Sequence, residues 1–292
     1  MEFPVDIYKR PRLRNPYLIV GWSDAGLVGI NAIDYLVDRL GAKEFGEIEP
    51  HGYCLLPHSL IKGGVLQEIE YPQSNFYYWK GKKPLGDLII FGSKPPALKH
   101  YEFANLVVDV AQRFGVERIY TIGGVYASIA HTEDAGVFAI INNPRLKKYV
   151  KEHDVRLGSD YHGPTSMNGL ILGIAKHRNI DGISLWGQVP SYIGDLPNPR
   201  VCQAVLRVLT RMLGIDIDFS EIEAEARYAD GQIDELVGYV RQQSPDFNQY
   251  IEKLERGVRR EASEADRQRF FEEIEKFLKK QRGQRKGDSS DK

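Results

Sequence analysis

The stretch from Tyr17 to Gly41, YLIVGWSDAGLVGINAIDYLVDRLG, constrains this chain more than any other. Tyr17 to Val20 is an apolar run of strand length, and Gly21, Gly26 and Gly29 surround Ser23 and Asp24. From Leu27 onward Ile30, Ile33, Leu36, Val37 and Leu40 recur at helical spacing, and Gly41 stands where a helix end favours a left-handed residue. A strand, a tight turn and an amphipathic helix in direct succession are the opening half of a βαβ unit. They imply an α/β sheet with helices packed on it.

A turn of this kind can also seat a phosphate, because a helix N-terminus behind glycines offers unpaired N–H groups. Here Gly21, Gly26 and Gly29 do not fit G-x-G-x-x-G, Leu27 stands where a Walker loop needs lysine, and Asp24 would repel an anion. Ser23 or Asp24 reads more simply as the helix N-cap, and no cofactor is expected.

Further on, strand and helix keep alternating. Residues Met1 to Pro16 read as an irregular lead-in or an edge strand, and Phe45 to Leu56 and Gln67 to Trp79 as antiparallel or edge strands. Asp87 to Gly92, Glu117 to Val125, Val137 to Asn143 and Gly182 to Val189 are compact apolar strands. Between them lie helices at Tyr101 to Phe114, at Pro144 to His153, and at Met167 to His177 behind Thr165 or Ser166. Another begins at Asn198 with Pro199 just inside and runs to Gly214. From Phe219 strand-like runs stop. Ile222, Ala226, Ala229, Ile233, Leu236 and Val240, and after Pro245 the set Phe247, Ile251, Leu254 and Val258, predict two helices with one apolar seam each. Glu264 to Lys280 predicts a third. The division expected is an α/β core over 1–218, a helical region over 219–282 and a disordered tail over 283–292. A narrow seam needs a partner surface, supplied either by the core or by another subunit.

Composition narrows the function classes. The 292 residues are 42% apolar and 27% charged with a net charge of −1, so nothing in the overall charge calls for nucleic acid or an anionic membrane. Cys54 and Cys202 are too few and too far apart for a disulfide framework, and no apolar run has the length of a signal peptide or membrane span. The cytoplasm is the expected compartment.

Candidate chemistry is sparse. His51, Cys54 and His58 do not match a standard zinc spacing, GPTSMNG around Ser166 fails the nucleophile-elbow pattern, and the aromatic strand NFYYWK lacks interleaved basic residues for base stacking. Ligands of open α/β sheets collect beyond the carboxyl ends of the strands. A pocket there would draw on Ser23, Asp24, Lys94, Gly123, Gly124 and His131.

The segments LIVGWSDAGLVGINAIDYL, IYTIGGV, GPTSMNGLILGIAKHRNIDGISLWGQVPSYI and PNPRVCQAVLRVLTRMLGIDID, in this order, resemble the PAC2 family of proteasome-assembly-chaperone-2-like proteins, over Tyr17 to Phe219. The resemblance implies a three-layer α/β/α sandwich around a mixed, mainly parallel sheet, similar to that of purine nucleoside phosphorylases, here with a C-terminal helical extension. It also implies a non-catalytic scaffold that forms homo-oligomers and, in eukaryotic and some archaeal members, binds proteasome subunits or related complexes. Archaeal members that dock through their tail end in a hydrophobic residue, tyrosine and one further residue. The ending Ser290-Asp291-Lys292 does not match, so docking of that kind is not expected. Relatives have also been labelled ATP-grasp carboxylate-amine ligases. The alternative function is therefore a nucleoside or nucleotide binder, or such a ligase, although no glycine-rich loop with a paired lysine supports ATP chemistry.

Overall fold

The strand, turn and helix of the opening stretch form as β2 (Tyr17–Trp22), a single 3-10 turn over Ala25–Leu27, and α1 (Val28–Leu40), which Gly41 closes at φ 60°. A computed structural model describes residues 5–257 of the chain, apart from 56–58, 68, 83–85 and 195. His58, Val258, the Glu264 to Lys280 helix and the tail all lie outside the described residues.

The other strands are β1 (Val5–Asp6), β3 (Lys43–Ile48), β4 (Ile61–Lys62), β5 (Val65–Leu66), β6 (Ser74–Trp79), β7 (Leu88–Ser93), β8 (Arg118–Ala127), β9 (Val137–Ile141), β10 (Arg156–Leu157) and β11 (Asp181–Pro190). Nine of the strands form one sheet in the order β1-β3-β6-β7-β2-β8-β11-β9-β10, and β4 pairs only with β5. The centre, β7-β2-β8-β11, is parallel throughout, while β1, β3 and β6 join one side antiparallel and β9 joins the other side antiparallel. The sheet is thus mixed and mostly parallel, as the alternation of elements predicts.

Two differences from the sequence reading have plain causes. The strand begun at Phe45 ends at Ile48, because Pro50 starts a turn in which Tyr53 and Cys54 both bond back to its carbonyl. The aromatic strand begins only at Ser74, after Pro72.

Helices cover both faces. α2 (His100–Arg113) and α4 (Met167–His177) pack on one, against Leu18, Val20, Ile89, Phe91 and Ile119. α1 and α5 (Pro199–Leu213) pack on the other, against Ile19, Ile90, Tyr120, Ile122, Ile183 and Leu185. Successive residues of each central strand therefore point into opposite cores, which is the period-two rule of a strand buried on both faces. Asn198 caps α5 by accepting from the Val201 amide, and Ser166 caps α4 from the Gly169 amide. The short α3 (Leu146–Glu152) flanks β9 and the edge strand β10.

α6 (Ser220–Gln243) and α7 (Pro245–Glu255) fold back within the same chain. Ile222, Ile233, Leu236, Val240, Phe247, Ile251 and Leu254 are buried in the apolar cluster that contains α5 and the sheet. Each such side chain gains about 1.5–3 kcal/mol on burial. The ion pair between Arg200 of α5 and Asp230 of α6, 2.7 Å long and partly exposed, is of the kind that contributes about 0–1 kcal/mol. The seam holds α6 in place, and the ion pair adds register. Among the described residues no helix is long and apolar enough to cross a membrane.

Candidate functional site

The turn between β2 and α1 is built around Asp24. Its carboxylate accepts from the Gly29 amide in the first turn of α1 at 3.0 Å and from the Gly124 amide of β8 at 2.8 Å. One side chain thus caps the helix and ties it to the neighbouring strand. Asp24 does this from ahead of the 3-10 turn, while Leu27, in the left-handed region at φ 53°, directly precedes α1. Ser23 has no part in the cap; its amide donates to the Ser93 carbonyl.

The paired glycines of β8 are explained by the same approach. A Cβ on Gly123 would collide with the Asp24 carboxylate, and one on Gly124 with the Ala25 carbonyl. Only hydrogen at both positions lets the turn lie on the strand. The α1 N-terminus, where a phosphate would bind, is taken up by a carboxylate of the protein itself. Burial pushes the Asp24 carboxyl up to about 7, against the opposing pull of the Gly29 and Gly124 amides.

Beside this turn lies a cleft of about 460 Å³ at the carboxyl end of the parallel strands, lined by Trp22, Asp24, Pro95, His100, Thr165, Ser166, Met167, Asn168, Leu170 and Trp186. Among the described residues no lysine or arginine lines it. Lys94 lies in a second, adjoining cleft of about 440 Å³ with Tyr53, Pro72 and Phe103, and the two clefts share Pro95. His131 lies elsewhere, against α6. Its Nε2 meets the Asp234 carboxylate at 3.0 Å and its Nδ1 meets the Tyr192 hydroxyl at 2.5 Å. Those partners select the tautomer in which Nε2–H donates to Asp234 and Nδ1 accepts from Tyr192.

The six residues singled out in the sequence therefore divide. Asp24 lines the first cleft, and Gly123 and Gly124 lie under the turn that carries it. Ser23, Lys94 and His131 lie outside that cleft. Sequence reading passed over Trp22, which ends β2, Asn168, in the first turn of α4, and Trp186, which lies within β11 beside Gly123 of β8.

Comparison with known proteins gives the family. The PAC2 family pattern matches residues 18–237. This chain belongs to the PAC2 family. An uncharacterized protein of Methanocaldococcus jannaschii is 30% identical over 217 residues, covering 74% of this chain and 80% of the relative. The crystal structure of Pyrococcus furiosus PbaB, described as an archaeal proteasome activator, superposes with a TM-score of 0.69 at 28% identity, covering 80% of this chain and 97% of that one. Pyrococcus furiosus PbaA, an archaeal homolog of proteasome-assembly chaperone, superposes with a TM-score of 0.61 at 24% identity, covering 88% of this chain and 100% of that one, and so speaks for the fold alone.

On this PAC2 fold exposed apolar side chains gather on the segment between β3 and β6, and two of them, Leu55 and Tyr71, line the second cleft. The β4–β5 hairpin turns at Gly63 and Gly64, and its Ile61, Val65 and Leu66 are 64%, 63% and 57% exposed. Leu55, Leu60, Tyr71 and Leu98 are exposed as well, and the Leu98 amide is tied to the Tyr53 carbonyl. Among the described residues no group of three histidine, cysteine or acidic side chains is placed to hold a metal ion; His51 pairs instead with Glu49 and packs on Tyr71.

Proposed function

We propose that this PAC2-family chain is a non-catalytic scaffold of the proteasome-assembly-chaperone type, working in the cytoplasm through self-association and through binding a protein partner. The observation that carries this reading is the β4–β5 hairpin. A lone two-stranded hairpin is marginal in water, and a monomer has little reason to hold three aliphatic side chains out on one. Covering them with another chain would stabilise the hairpin and the complex together. Asp24 supports the same reading from the other direction, since it occupies the amides a nucleotide phosphate would need. The description of PbaB as a proteasome activator makes the proteasome particle the first partner to try.

Size-exclusion chromatography with light scattering, on the native chain and on an Ile61→Ser, Val65→Ser, Leu66→Ser variant, tests the proposal. The native chain should elute as an oligomer and bind purified 20S proteasome. The triple variant, with unchanged circular dichroism, should lose one or both. A native chain that is strictly monomeric at micromolar concentration and passes over the proteasome without retention ends this reading.

A further inference from the structure

α7 lies against the carboxyl edge of the sheet. Its Phe247 and Tyr250 pack edge-on against Tyr192, and the Tyr250 hydroxyl meets that of Ser191 at 3.5 Å, both in the single turn that follows β11. The described residues end at Gly257, within about 10 Å of that contact. Further along the sequence Phe270, Ile274, Phe277 and Leu278 recur at helical spacing. They predict one apolar seam, which a lone helix would leave in water.

The two clefts run along the same edge. The first reaches from Trp186 of β11 to Pro95 just past β7, and the second continues from Pro95 to Ser74 at the start of β6. Together they cross β11-β8-β2-β7-β6, four strand spacings and about 19 Å. Their walls hold apolar side chains that are half-buried or exposed, Trp186, Met167 and Leu170 in the first and Tyr53, Leu55 and Tyr71 in the second. Residues 258–263 can bridge at most roughly 20 Å, and a helix over 264–280 is about 25 Å long, so the segment has the reach and the length to cover both. We propose that residues 264–280 lie across the two clefts of their own chain as a helical strap, entering beside Trp186 and ending over the second cleft. The seam from Phe270 to Leu278 then faces the apolar walls.

Charge agrees with this direction. Glu273 and Lys280 flank the seam at helical spacing, and the strap carries them in turn past Lys94 and Glu70, which are exposed in the second cleft. The tether decides the occupant, because a segment joined by six residues meets the clefts at a far higher effective concentration than a free chain does. The strap goes beyond the scaffold reading, and neither requires the other. Oligomer formation and retention by the proteasome test that reading, whereas contacts within one chain test this one.

The native chain carries its own reporter, since Cys54 lines the second cleft and Cys202 is only 1% exposed. In the full chain at submicromolar concentration, a short bismaleimide should join Leu278→Cys to Cys54 in a product that runs as a monomer. Phe270→Cys, held near Trp186, should give several-fold less of it. Joining only between two chains, equal yields from both positions, or none from either would overturn the proposal. Maleimide labelling of Cys54 gives a second reading without a new thiol. The combined Phe270→Ser, Ile274→Ser and Phe277→Ser variant, with unchanged circular dichroism, should label several-fold faster than the native chain. An unchanged rate would mean that the clefts stand open, and would overturn the proposal as well; if the triple variant does not fold, the cross-link comparison decides by itself.

Discussion

Two pairs of adjacent glycines do opposite work in this molecule. Gly123 and Gly124 are buried in β8 beneath the β2–α1 turn, where a single added carbon on either would strike Asp24 or Ala25. Gly63 and Gly64 form the tip of the β4–β5 hairpin, at φ 57° and 77°, with nothing within 4 Å of where a Cβ would stand. The first pair is required by a close approach, and the second by a left-handed turn. The closed pair brings a carboxylate onto helix and strand amides and so fills a ready-made anion seat. The open pair lifts aliphatic side chains into solvent where another protein can reach them. The contrast separates the part of the molecule that holds the fold from the part that the proposed scaffold function would offer to a partner.

The sharpest way to break the contrast is at the closed pair. Gly124→Val places carbon against the Ala25 carbonyl and the Val28 side chain, neither of which can retreat without moving α1. A loss of about 5 kcal/mol, enough to unfold most of the protein, is expected in urea denaturation. A loss below about 1 kcal/mol would mean that the turn is loose.

Next in size is the pH dependence of the carboxylate that fills the seat. Unfolded, Asp24 titrates near 3.8; folded, burial raises it to about 7. Between those values the folded chain holds a proton that the unfolded chain has released, so its contribution to stability is complete below about pH 4 and lost as pH rises through 7. The loss is on the order of 3–4 kcal/mol. Denaturation at about pH 4 and about pH 8, native against Asp24→Asn, isolates it, because the amide removes this group's share of the slope. Parallel pH profiles for the two proteins would refute it.

How far the sequence could take this follows from the same residues. Strand, turn and helix boundaries around Asp24 and Asn198 were legible, because capping and periodicity are local. The order β7-β2-β8-β11 was not, since it depends on pairings between runs of similar apolar character. The two-residue strands β4, β5 and β10 are too short to carry a period. The rule that ligands gather beyond strand ends names an edge of a sheet without saying which face. It therefore grouped Lys94 with His131, although one belongs to a cleft near α2 and the other to the α6 side. Nothing in the sequence sets Trp22 or Asn168 apart, and only in three dimensions do their buried, unbonded polar atoms show.

His131 allows a milder test of the closed side. Its ring joins Tyr192 to Asp234 and so clasps α6 to the loop after β8. His131→Ala should cost about 1–2 kcal/mol, since the backbone amide of residue 131 still donates to the Tyr192 hydroxyl and the seam of α6 stays buried. Hydrogen exchange should rise along α6 while β2, β8 and β11 keep their protection. Equal loss of protection in the sheet would show that α6 and the core open only together.

The smallest effect belongs to the open pair. Gly63→Ala puts a side chain into empty space, so nothing is struck, and the only charge against it is the left-handed backbone of the turn. That is worth about 1 kcal/mol, and it falls on a hairpin whose own opening does not unfold the sheet. Global unfolding should then move by less than about 0.5 kcal/mol, while exchange at the amides of residues 62 and 65 rises. The same substitution becomes costly if another chain packs over the hairpin. Measured above and below the concentration at which the native chain associates, Gly63→Ala should weaken association and leave monomer stability alone. An equal loss at both concentrations would place the hairpin with the fold rather than with the partner surface.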